Sequence, residues 1–168
     1  MSCKLWIRAG LMAPCALWAL PAAGQDKLRV IIETDLGGDA DDQASLVRFL
    51  LYTNEWDVEG IIADRPAGRF HSDGARDHKG LAVKNGYEMA LAYLDAYGQV
   101  YENLRRHAEG YPSPQQLRSV TVPGWNETEA GVKRILAAGD SSDPRPIWYG
   151  NWAATAAPPA TFAGRSTT

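Results

Sequence analysis

The passage from Leu28 to Ala63 constrains the fold more than any other part of the chain. Leu28 to Ile32 is a short β-branched run that empties into a loop of Gly and Asp, Glu33-Thr-Asp35-Leu-Gly-Gly-Asp39-Ala-Asp41-Asp42. From Asp42 to Tyr52 the apolar residues Ala44, Leu46, Val47, Leu50 and Leu51 recur at the spacing of one helical face. Val58 to Ala63 is a second short strand after a turn at Asn54 to Asp57. Strand, helix and strand in that order make a βαβ unit, with parallel strands and a right-handed crossover. The expected class is therefore α/β, a Rossmann-like, mostly parallel sheet flanked by helices.

The rest of the chain extends this plan. Asp64 to Gly86 is rich in Arg, Gly, His and Asp without a period, and reads as a long loop with at most one helical turn. Tyr87 to His107 carries Met89, Leu91, Tyr93, Leu94, Tyr97, Val100, Tyr101 and Leu104, the longest helix candidate, with Gly98 as a point of interruption. Tyr111-Pro-Ser-Pro114 breaks the chain, and Ser113 with Gln116 three residues on has the form of a capping box for a short helix through Leu117. Thr128 to Ala138 is a further amphipathic helix, with Asn126 as its expected cap and Glu129 three residues later. Ile147 to Tyr149 is expected as a third parallel strand.

At 168 residues the chain has room for one domain with a core of its own. Three parts are expected: a signal peptide over 1–24, the domain over 25–152 and a disordered tail over 153–168. Lys4 and Arg8 precede an apolar run from Ala9 to Leu20 that ends in Ala22-Ala23-Gly24, the pattern of a secretory signal. The run is shorter than the roughly 20 residues a membrane span needs, so no membrane association is expected after cleavage. The expected location is secreted or periplasmic. Cys3 and Cys15 both lie in the segment to be removed, which leaves no thiol for disulfides, zinc or nucleophilic catalysis. Removing 1–24 leaves fifteen basic against twenty acidic residues, a formal charge of −5. That balance, with no basic cluster, argues against nucleic acid as a partner. Ala153 to Thr168 is almost wholly Ala, Thr, Pro, Ser and Gly, without a period.

Asp35, Asp39, Asp41 and Asp42 fall within eight residues, between the end of a strand and the start of a helix. Ligands of open α/β sheets bind at the carboxyl ends of the strands, and glycines such as Gly37 and Gly38 allow close backbone approach. Crowded carboxylates repel one another, and a hard cation, Ca²⁺ or alternatively Mg²⁺, relieves the repulsion. One aspartate suffices to cap a helix, so four exceed what capping needs. An EF-hand loop starting at Asp35 would want Glu at its twelfth position, where Leu46 stands. An aspartyl-phosphate phosphatase would want a nucleophilic Asp at the strand end, for which Glu33 followed by Asp35 is a poor substitute.

The stretch Arg29-Val-Ile-Ile-Glu-Thr-Asp35-Leu-Gly-Gly-Asp-Ala-Asp41-Asp42-Gln resembles the N-terminal motif of inosine-uridine-type nucleoside hydrolases, in the variant of the nucleoside-hydrolase-like, cellulose-binding protein family. Tyr97-Gly-Gln-Val, Asn103-Leu, Gly110-Tyr-Pro112, Gln116-Leu-Arg-Ser and Asp143-Pro-Arg-Pro-Ile-Trp148 are similar to that family in order and spacing, so the resemblance runs from Arg29 to about Trp152. It implies a nucleoside-hydrolase-like fold. It also implies Ca²⁺ held by Asp35 and Asp42, ribose hydroxyls on Asp41, and Asp35 as the base that takes a proton from a calcium-bound water. Such a water would attack an N-glycosyl bond through an oxocarbenium-like state. The chain departs from the hydrolase pattern in three places. Glu33 stands for the first Asp, Leu36 for the Pro, and two extra residues precede Asp41-Asp42, which makes Asp39 an alternative ligand. The hydrolases draw a further metal-binding Asp and their leaving-group acid from a C-terminal half, so the fold is expected to be incomplete here.

The expected partner is thus a small nucleoside or a carbohydrate, with homo-oligomer formation left open. Two function classes compete, an N-glycosyl hydrolase and a carbohydrate-binding protein without catalysis, with an inactive fragment of either as a third. His71, Asp73, Asp77 and His78 read as a solvated loop, and His107 as a partner of a helix C-terminus. Of Trp125, Trp148, Tyr149 and Trp152, the alternating pair Trp148 and Tyr149 implies one core residue. Asn151 and Trp152, at the strand end, are the expected sugar contacts.

Overall fold

In the computed structural model, residues 26–38, 40–65, 83–125 and 129–152 are described. The elements are β1 (Leu28–Thr34), α1 (Ala40–Leu51), a 3-10 turn (Thr53–Glu55), β2 (Trp56–Ala63), α2 (Gly86–His107), α3 (Pro114–Ser119), β3 (Thr121–Pro123), α4 (Ala130–Gly139) and β4 (Ile147–Asn151). They build a four-stranded sheet of order β3-β2-β1-β4, parallel throughout. The βαβ expectation holds, and β1 is a central strand.

A parallel sheet covered on both faces needs apolar residues at successive positions of its inner strands, and β1 and β2 supply them. Ile32, Ile61 and Ala63 face α1, α2 and α3, in a cluster with Leu36, Leu46, Leu50, Met89, Ala90, Leu94, Tyr97 and Leu117. Ile31 and Ile62 face the other way, against Ile135 and Ala138 of α4. Each such isoleucine, fully withdrawn from water, contributes about 1.5–3 kcal/mol. The register of β1 on β2 slips between Val30↔Val58 and Ile31↔Gly60, so Glu59 is an extra residue there. Its carboxylate meets Arg29, which is only 2% exposed. The Arg29 guanidinium donates to Glu59 Oε1 at 2.8 Å and to the carbonyls of Ala138, Asp143 and Arg145 at 2.8, 3.2 and 3.1 Å. A buried arginine with its donors satisfied thus ties β1, β2, α4 and the approach to β4 at the amino end of the sheet.

Several expectations need correction. β3 falls between α3 and α4, which makes Ile147–Asn151 the fourth strand in sequence. It has three residues and ends on Pro123, which a sheet tolerates at an edge. Gly98 does not interrupt α2, which runs unbroken for 22 residues. Glu129, not Asn126, stands at the N-cap of α4, in a left-handed conformation with φ 50° and no side-chain cap bond. Asn126 itself lies outside the described residues, as do 1–25, Asp39, 66–82 and 153–168. The expectations for the signal peptide, the histidine-bearing loop and the tail fall there. The capping box of α3 is present, with the Gln116 N–H donating to Ser113 Oγ at 3.2 Å and the Ser113 N–H to Gln116 Oε1 at 2.7 Å. Among the described residues no helix is long and apolar enough to cross a membrane.

Candidate functional site

The register of β1 on β2 pairs Thr34 with Ala63, so the residues that leave the two strands emerge side by side. Glu33, Thr34 and Asp35 come from β1, Asp64 and Arg65 from β2, and Asp41 and Asp42 from the first turn of α1. The backbone fixes this edge. The Asp64 N–H donates to the Thr34 carbonyl at 3.0 Å, and the Trp152 N–H to the Glu33 carbonyl at 2.9 Å. Gly37, at φ 90°, makes the turn in which the Gly38 N–H reaches back to the Asp35 carbonyl at 2.9 Å. Leu36, in the position of the expected proline, is fully buried and pins the loop to the core.

Asp35 and Asp42 meet. Asp42 is 6% exposed, and its Oδ1 accepts a hydrogen bond from the Thr34 hydroxyl at 2.7 Å. Burial first, and then the shared contact with the Asp35 carboxyl, push the Asp42 carboxyl up to about 7, with the Thr34 hydroxyl opposing. Asp41 is exposed, and its Oδ1 accepts from the Asp42 N–H at 3.1 Å. Adjacent residues therefore have opposite surroundings, one carboxylate open to a ligand and one folded inward.

Two of the acids here were not expected as site residues. Asp64 is pushed up to about 6 by burial and by the Asp35 charge, and its Oδ1 is buried with no hydrogen-bond partner. Glu33 is pushed up to about 7 by burial and by Asp64, and accepts a hydrogen bond from the Tyr149 hydroxyl. The positive charge among them is Arg65. Its Nη2 bonds the Asp35 carboxylate and its Nε donates to the Asp35 carbonyl at 3.0 Å. The parallel register is the signal that finds Asp64 and Arg65, because the residues after β2 must lie beside those after β1.

The oxygen-rich donor set suits a hard cation in type, and the orphaned Asp64 oxygen lacks a partner. Asp39, one of the expected ligands, lies outside the described residues. Asp35 is engaged by Arg65 and Asp42 by Thr34, and among the described residues no group of three or more His, Cys, Asp or Glu side chains is set to hold a metal ion.

The aromatic candidates separate. Trp152 is partly buried against the core, its ring edge-on to Phe49 with centroids 6.0 Å apart. Asn151 is exposed at the end of β4. Tyr149 turns inward to Ile31 and Ile135 while Trp148 is 58% exposed, as the alternation requires.

A parallel α/β sheet with acids gathered where its first two strands end is the ligand-binding architecture of open α/β proteins. The chain belongs to the family described as cellulose-binding Sde182, nucleoside hydrolase-like domain, which matches residues 29–157. Among solved structures it is similar to a nucleoside hydrolase-related protein from Saccharophagus degradans, described as associated with carbohydrate metabolism. The identity is 38% and the TM-score 0.56, over 74% of this chain and 30% of that one. The chain therefore spans less than a third of that protein's length. No curated protein matches it.

Proposed function

We propose that the domain recognises a carbohydrate at the carboxyl end of its sheet and does not turn it over. The observation that carries this reading is the state of Asp35. A general base must hold a free lone pair toward its proton donor, and here Oδ2 of Asp35 is held by Arg65 while the carboxyl also meets Asp42. Asp41 remains exposed beside it, able to accept hydrogen bonds from vicinal sugar hydroxyls, and Asn151 stands exposed at the end of β4. The family description and the carbohydrate association of the similar structure support the same ligand class. Trp152 contributes by packing.

The test is a pull-down of the full chain on insoluble cellulose, with soluble cello-oligosaccharides as competitors. The protein is expected in the pellet and Asp41→Asn in the supernatant, with an unchanged melting midpoint. A wild-type chain that stays in solution sinks the reading.

A second reading is N-glycosyl hydrolysis. One observation favours it, since Asp42 and Asp64 sit near neutrality, where carboxyls serve as acid–base groups. Calcium, or magnesium in its place, belongs to this reading. Base release from inosine or uridine with added Ca²⁺ is its measure, and release above background would replace the first reading. We also propose that residues 1–24 direct export; the N-terminal sequence of protein recovered outside the cytoplasm checks this.

A further inference from the structure

The geometry points to Arg65 as a built-in counter-cation, which occupies Asp35 in place of a divalent metal and holds the acid edge together without one. The inference rests on how Arg65 is seated, not on sugar binding.

Arg65 is fixed along its whole length. Its carbonyl accepts from the Gly86 N–H at 2.9 Å, its Nε donates to the Asp35 carbonyl at 3.0 Å, and its Nη2 pairs with the Asp35 carboxylate. Two glycines make the seat. A Cβ at Gly38 would overlap the guanidinium and stand 3.0 Å from Asp35 Oδ2, the movable end of a side chain. One at Gly86 would stand 2.9 Å from the Leu36 carbonyl and 3.4 Å from Arg65 Cβ. The side chains of Arg65 and Asp35 are only 15% and 18% exposed, so the pair is shielded from solvent and from salt. Arginine keeps its proton at every pH a protein survives.

A calcium ion takes six to eight oxygens, several from carboxylates. At this edge it would lose Asp35 as a free ligand and meet a fixed positive charge in the same place. The pair also fastens the carboxyl ends of β1 and β2, as Arg29 fastens their amino ends. A metal that bridged Asp35 to Asp64 would do the same work, which makes the two arrangements alternatives.

Calcium titration of the full chain by calorimetry, with melting curves in EDTA and in calcium, tests this. The wild type is expected to show no saturable binding up to about 10 mM Ca²⁺, above the range of weak extracellular calcium modules. Its melting midpoint is expected to be the same in both buffers. Arg65→Met keeps the stem and removes the charge. It is expected to bind Ca²⁺ at about 10⁻⁴ to 10⁻³ M, and to melt lower in EDTA and higher in calcium. Gly38→Ala evicts the guanidinium without altering Arg65 and is expected to gain binding likewise, while Arg65→Lys stays closed.

Saturable calcium binding by the wild type overturns the inference. So does its absence in folded Arg65→Met and Gly38→Ala; if Arg65→Met does not fold, Gly38→Ala decides alone. Loss of cellulose binding would leave these outcomes unchanged, whereas saturable calcium binding by the wild type would also remove the observation that carries the non-catalytic reading, so the pattern of results tells the two failures apart.

Discussion

Thr34 shows how much of this edge depends on one hydroxyl. The residue is fully buried, and it donates to a carboxyl that is itself 6% exposed. Thr34→Val keeps the shape and removes the donor. The loss is expected to cost about 1–3 kcal/mol in urea unfolding, the penalty of a buried acceptor left short of its partner. Because that bond holds the Asp42 carboxyl down, its removal is expected to move the carboxyl further above 7, which NMR titration of the side-chain carbonyl reads directly. The same substitution at an exposed threonine would do neither.

At the scale of elements, the helix candidate with Gly98 in its middle offers a clean test. Gly98 is exposed in the interior of α2, and a Cβ there would lie 3.6 Å from Pro114 Cγ, an ordinary contact. Gly98→Ala is expected to raise stability by about 0.5–1 kcal/mol, the cost of glycine in a helix, as a shift of the urea midpoint at unchanged slope. The elements with strong periods, β1, α1, β2, α2 and β4, were legible in the sequence. So was the capping box at Ser113, because caps are local chemistry. β3 was not. Three residues carry no period, and Val122 and Pro123 become a strand only through the pairing of Ile62 and Ala63 beside them. The site divides in the same way. Asp35, Asp41 and Asp42 announce themselves by crowding along the chain, whereas Arg65 is 30 residues from Asp35 in sequence and, with Asp64 before it, reaches the edge only through sheet register. The cap of α4 was missed because Glu129 takes a left-handed turn that its residue type does not advertise.

For the molecule as a whole, the acid edge sets the dependence of stability on pH. Glu33, Asp42 and Asp64 are raised to about 7, 7 and 6 from ordinary values of 4.5, 3.8 and 3.8. A raised folded-state value means that the native protein keeps protons the unfolded chain releases. The contribution of each is thus fully present below about pH 4 and is lost as pH rises toward 7. Asp143 runs the other way. Its hydrogen bonds from Arg145 hold it down at about 2, so its contribution persists above about pH 4 and disappears only as pH falls through 2. In EDTA the melting midpoint is therefore expected to peak near pH 4–5 and to fall toward pH 8, and a midpoint that rises across that interval would contradict the electrostatics of the edge. The placement of β1 between β2 and β4 has a kinetic side as well. The amides of Ile31 to Glu33 are enclosed by neighbours on both sides, so their protons should trade with deuterium only when the entire sheet comes apart. Those of β3 should trade sooner, through fraying at the border. Glu33 and Asp35 thus extend from backbone expected to exchange more slowly than β3, and a ligand arriving there meets a surface already set.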